Sequence, residues 1–127
     1  MRKLTAMLAT LVVFASLMPA ALAAGPHYLK LAPGKVQAGK VVRVYGSVGG
    51  GCAPGVGAAT LYSDAFEGAT QDEFAGVPAV YATVRKNSKF SIRIRLSERL
   101  RRGAYRVGGR CGGGNFGSAR LTVKRHR

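Results

Sequence analysis

The 127-residue chain is poor in the residues that reactive sites are usually built from. It has two histidines, His27 and His126, near the two ends of the expected mature chain, and neither stands beside a Ser or Cys in a motif. Chain ends are usually mobile, which disfavours both as catalytic bases. It has two cysteines, Cys52 and Cys111, and with those histidines they do not make a zinc site's spacing. Of its five acidic residues, Asp64, Glu67, Asp72 and Glu73 fall within ten positions and the fifth is Glu98. That cluster could supply a carboxylate pair or a weak calcium site, but a solvated acidic loop fits it better. The expectation is therefore a non-enzyme with no catalytic residue, no metal and no cofactor.

What the chain does contain begins with "MRKLTAMLATLVVFASLMPAALAAGPHY". Arg2 and Lys3 form a positive start, Leu4 to Met18 are uncharged, Pro19 breaks the run, and Ala21-Leu22-Ala23 supplies a small-x-small cleavage pattern. This reads as a secretory signal peptide, residues 1–23, with the mature domain at 24–127. The apolar run falls short of the ~20 residues that a membrane span prefers. No Cys follows it for lipid attachment, and no apolar segment precedes the basic end "KRHR". The expected location is secreted: extracellular or loosely associated with the cell envelope, without a covalent membrane or wall anchor.

Outside the cytosol, two cysteines read as one disulfide, Cys52–Cys111. It closes a loop of about 60 residues, worth on the order of 4 kcal/mol in the chain-entropy model. Cleavage removes two of the 20 Lys and Arg, leaving 18 against five acids, a net charge of +13. The charge is uneven, because Arg85 to Arg127 hold 14 cations and only Glu98.

Period-two alternation dominates, and no segment carries a helical stripe. Strands are expected at 28–32, 40–48, 56–63, 77–84, 90–96, 104–111 and 116–123. Val42, Val44 and Val48 share one face, with Arg43, Tyr45 and Ser47 on the other. "FSIRIRL" points Phe90, Ile92, Ile94 and Leu96 inward and Ser91, Arg93 and Arg95 outward. In the last two strands Tyr105, Val107, Cys111, Leu121 and Val123 face in. The segment from Asp64 to Gly76 lacks alternation and is expected to be the least protected part of the domain. Seven short, evenly spaced strands in about 100 residues make an all-β fold, a single β-sandwich, with a small barrel as the alternative.

"VQAGKVVRVYGSVGGGCAPG", "NSKFSIRIRL", "GAYRVGGRCGGG" and "ARLTV" together resemble the immunoglobulin-like domains of secreted actinobacterial proteins. The resemblance runs from about Leu31 to Val123 and implies a fold and a secreted location, not an activity. It carries over architectural positions only: Gly39, Gly46, Cys52, Pro54, Phe90, Gly103, Tyr105 and Cys111. Two features depart from the pattern. The chain has no Trp to pack on the disulfide, and Gly109 stands where a tyrosine corner would be. A more distant resemblance is to the secreted apoproteins that carry enediyne chromophores, whose sandwiches have two disulfides and an acidic surface.

"GKVQAGKV" at 34–41 has the G-x-x-x-x-G-K spacing of a phosphate loop, but Val41 stands where magnesium needs a hydroxyl, and a strand rather than a helix follows. It reads as a turn. The runs Gly49–Gly51 and Gly112–Gly114 read as tight reversals beside the cysteines rather than anion nests.

The outward arginines remain. With the second and fifth strands adjacent, Arg43 and Tyr45 should neighbour Arg93 and Arg95; on the other sheet Arg106 and Arg110 should neighbour Arg120 and Lys124. Like charges on adjacent strands repel, so their accumulation points to binding as strongly as to a merely solvated face. The expected partners are polyanions: an anionic cell-wall polymer, an anionic membrane surface or extracellular nucleic acid. The alternatives are a small-molecule carrier, with Phe66 and Phe74 lining its pocket, and a structural envelope domain without a ligand.

Overall fold

The computed structural model describes residues 25–50, 52 and 57–125. The expected signal peptide, Pro54, Val56 and His126 lie outside these residues. Among the described residues nine strands form: β1 (His27–Ala32), β2 (Lys35–Gln37), β3 (Val41–Val48), β4 (Ala58–Tyr62), β5 (Glu73–Phe74), β6 (Val77–Thr83), β7 (Lys89–Arg95), β8 (Gly103–Cys111) and β9 (Gly114–Lys124). A three-residue 3₁₀ helix, Asp64–Phe66, follows β4. The strands form two sheets, ordered β1-β3-β7 and β2-β9-β8-β4-β6-β5. Packed face to face they make an all-β sandwich, as the alternation predicts.

The core lies between the sheets. Val42, Val44 and Val48 of β3 are buried, as are Phe90 and Ile94 of β7, Val107 of β8, and Leu121 and Val123 of β9. Ser47 has outward parity but is only 5% exposed, and its hydroxyl accepts the Gly49 N–H at 3.1 Å. The two strands absent from the sequence reading, β2 and β5, are three and two residues long, too short to show a period. β2 runs parallel to β9, pairing Val36 with Val123. It forms the first half of "GKVQAGKV"; Lys40 N–H then donates to the Gln37 carbonyl at 3.2 Å, and β3 starts at Val41. The segment is a turn between strands, with Gly39 at φ 83°.

Two further reversals are built by positive-φ pairs. Gly112 (φ 64°) and Gly113 (φ 94°) join β8 to β9, and Ala75 (φ 52°) and Gly76 (φ 81°) join β5 to β6. Positive φ at both central residues is what a two-residue type I′ hairpin requires. Where β8 and β9 pair, Gly109 faces Gly117 but Arg110 faces Asn115, so Phe116 is an extra residue bulged from the ladder. It is buried, with its ring edge-on to Phe90 at 5.4 Å. A Cβ on Gly109 would overlap that ring, which accounts for glycine at this position.

The acidic segment lacks alternation, as expected, but it is anchored. Phe66 and Ala65 are completely buried, and Phe66 is the largest fully buried side chain in the core. The Ser63 hydroxyl caps the short helix by accepting the Ala65 N–H at 3.1 Å. Phe66 and Ala69 N–H groups donate to Ser63 and Phe66 carbonyls, and Thr70 Oγ1 donates to the Ala79 carbonyl at 2.9 Å. A loop without alternation is fastened here by one inserted ring and a chain of local bonds. His27 also differs: it opens β1, with Nδ1 2.7 Å from the Phe116 carbonyl, and so ties β1 to β9.

Candidate functional site

The outer face of the three-stranded sheet is assembled by register. Arg43 lies directly opposite Arg93, Arg95 opposite Val41, Tyr45 opposite Ser91, and Ser47 opposite Lys89. On the other side of β3, Lys30 pairs with Tyr45 and Ala32 with Arg43. Arg43, Arg93, Arg95, Lys30 and Lys89 are all exposed. The segments HYLKLA, VVRVYGSV and KFSIRIR contain no Asp or Glu, so the sheet carries no carboxylate of its own.

Hydrogen bonding makes the central pair a close one. Leu96 N–H donates to the Lys40 carbonyl and Val48 N–H to the Ser88 carbonyl, each at 2.9 Å, so even-numbered β7 residues bond to β3. Arg43 and Arg93 are therefore a non-hydrogen-bonded pair, the class whose side chains approach most closely. Like charges in that position cost some tenths of a kcal/mol to about 1 kcal/mol. The Arg43 guanidinium carbon lies 4.2 Å from the Tyr45 ring centroid, and Arg95 Nη1 donates to the Gly39 carbonyl at 3.2 Å. Ala32, Pro33, Val41 and the three arginines line one shallow depression of about 430 Å³.

The second basic group is a stripe rather than a cluster. Arg106 faces Arg120 across β8 and β9, as expected. Arg110 sits opposite Asn115, beyond the bulge, while Lys124 pairs with Gln37 at the other end of β9. Each is four residues from the central pair along its strand, about 13 Å. Arg110 is also committed locally: Nη2 donates to the Gly113 carbonyl at 2.7 Å, and its guanidinium carbon lies 5.1 Å from the Phe74 centroid. Phe74 stacks on Tyr62 at 5.4 Å, and Tyr62 lies over Gly108 while its hydroxyl donates to Asn115 Oδ1 at 3.2 Å. The expected Arg106–Arg110–Arg120–Lys124 neighbourhood is thus reduced to one adjacent pair, because the bulge and the aromatic cover draw Arg110 aside.

Cys52 and Cys111 are bonded, with Cα atoms 4.8 Å apart, and fasten the segment after β3 to the end of β8. Among the described residues no three of His, Cys, Asp and Glu converge as metal ligands would. No helix among them is long and apolar enough to cross a membrane. Phe66 and Phe74 do not share a cavity, since one is sealed in the core and the other packs on Tyr62. No protein-family model matches the chain, and no curated protein matches it in sequence.

Lys30 and Lys89 belong to the basic face although the sequence reading did not include them. Lys30 was legible from its place between Leu29 and Leu31, which face inward. Lys89 was hidden because it reads as part of the turn "RKNSKF" but begins β7.

Proposed function

We propose that the protein is a secreted, non-catalytic, immunoglobulin-like binding domain that holds extracellular polyanions on the outer face of its three-stranded sheet. The observation that carries the reading is the Arg43–Arg93 pair, in the closest cross-strand class, with Arg95 beside it and no carboxylate on the sheet. A phosphate-rich chain laid across this face would relieve the repulsion and release counterions. The two rings with outward parity on this sheet each carry a cation over one face, Arg43 4.2 Å from the Tyr45 centroid and Lys30 5.4 Å from the Tyr28 centroid, in the place a stacked base would take. This favours an anionic wall polymer over single-stranded nucleic acid, with an anionic membrane surface as the second source of the same phosphate chemistry.

The immunoglobulin-like reading is supported by strand order and by the parallel pairing of the short β2 with the last strand. The Tyr105 hydroxyl also donates to the Arg101 carbonyl at 2.6 Å. That bond spans a β7–β8 corner as a tyrosine corner does, although Tyr105 lies further from Cys111 than in antibody domains.

Changing Arg43, Arg93 and Arg95 together to Gln should leave the fold intact, since exposed sites usually shift stability by no more than about 0.5 kcal/mol each. It should weaken retention on purified wall polymer and flatten the dependence of log affinity on log salt by up to about three charges' worth. Arg106, Arg120 and Lys124 changed to Gln form the control for general charge loss. Arg110 is left out because it holds the Gly113 loop and Phe74. Equal loss from both triples means diffuse attraction without a site. No binding at physiological ionic strength discards the reading and leaves a structural envelope domain, or a carrier whose cavity is not one shared by Phe66 and Phe74.

A further inference from the structure

Among the described residues, strand β7 pairs with β3 on one side only. Since its even-numbered residues bond to β3, the N–H and C=O groups of Ser91, Arg93 and Arg95 point away from the sheet. The Lys89 end is closed: its carbonyl accepts the Arg85 N–H at 2.9 Å, and its N–H donates to Asn87 Oδ1 at 3.1 Å. From Ser91 to Arg95 the edge is a row of strand-pairing groups facing outward.

The inner face beside this edge is under-covered. Ile92 points inward between buried Phe90 and Ile94 but is itself only half-buried. Across the gap, Pro78 and Val80 on the inner side of β6 are also half-buried, whereas Ala82 is enclosed. A depression of about 370 Å³ lies between the two strands, lined by Tyr81, Ala82, Thr83, Arg85, Ser91 and Ile92. Tyr81, 51% exposed, stands at its rim.

We propose that this edge accepts an extended acidic segment of a partner protein as an additional strand. Backbone pairing at Ser91 and Arg93 would supply the attachment. Alternate positions would carry Asp or Glu beside Arg93 and Arg95 on the outer face, and the intervening positions would place apolar side chains over Ile92. A second copy of this chain is the wrong occupant. In the antiparallel register centred on Ile92 its Lys89 meets Arg95, so the cations that attract an acidic strand repel a like one. The proposal uses the backbone edge and does not rest on polyanion binding to the outer face.

The test is titration of the purified protein, near physiological salt, with a ten-residue peptide alternating Glu and Val. A peptide of the same composition in two blocks serves as the comparison. The alternating peptide should bind about tenfold more tightly than the block peptide. It should also slow amide exchange at Ser91 and Arg93. Ser91→Pro removes an outward N–H without touching the β3 ladder and should abolish that preference while sparing adsorption to wall polymer. Should that variant not fold, Arg93→Glu with Arg95→Glu should switch the preference to an alternating Lys–Val peptide. Equal binding of the two acidic peptides overturns the proposal. So does protection appearing at Tyr81 and Thr83 on the β6 edge, or a dimer in sedimentation whose Ser91 and Arg93 amides are already protected without peptide.

Discussion

The segment from Asp64 to Gly76 and strand β7 are built on opposite plans. β7 alternates perfectly, yet among the described residues it has one neighbour, leaves one edge unpaired and keeps Ile92 half-exposed. The acidic segment has almost no ladder, but it buries Phe66 completely and caps its helix with Ser63. Asp72 and Thr70 also hold it to both backbone groups of Ala79. The difference separates two properties that are easily merged. Alternation states which way side chains point, whereas fixation depends on how many independent anchors a segment has.

The comparison breaks most severely if Phe66 is not the anchor. Phe66→Ala should cost about 3–5 kcal/mol, read from denaturant unfolding, because a filled core site becomes a cavity. A loss below about 1 kcal/mol, in the range of ordinary surface changes, would return the segment to the status of a loose loop. Amide exchange sharpens the contrast next. Within β7 the Ile92 and Ile94 amides should exchange about a hundredfold or more slowly than those of Ser91 and Arg93, with Phe66 on the slow side. Uniform protection along β7 would mean that its edge is already covered. The smallest effect concerns the turn that closes the acidic segment. Ala75 holds φ 52° without the freedom of glycine. Ala75→Gly should therefore raise stability by about 0.5–1 kcal/mol, a shift of several degrees in Tm for a domain of this size.

Faces were legible in this chain because alternation is a direct consequence of strand geometry. Val42, Val44, Phe90, Ile94, Val107, Leu121 and Val123 all point where the pattern places them, and the two cysteines meet. The Arg43–Arg93 adjacency was legible only with the added expectation that the second and fifth expected strands are neighbours. Phe66 was illegible, because a three-residue helix has no period and its signal is Ser63 two residues before the Ala65 amide it caps. Phe116 was illegible for another reason. A bulge inverts parity locally, so Phe116 goes inward and Arg110 is drawn out of the stripe that its spacing suggests. Lys89 was lost at a boundary, since a turn residue and the first residue of a strand look alike in one sequence.

Gly108 and Gly109 give β8 a property that no other described stretch of the sandwich shows. Tyr62 occupies the space a side chain would take on the outer face of Gly108, and Phe116 does the same on the inner face of Gly109. At this spot the wall between the oily interior and the wet exterior is one peptide thick, with an aromatic ring pressed on each side. Phe116, the backbone of Gly109 and Gly108, Tyr62, Phe74 and the guanidinium of Arg110 form one continuous line of contacts from the core to the surface. The molecule has a diaphragm here, a single layer of backbone shared by the packing of its centre and by the aromatic cover beside a surface charge.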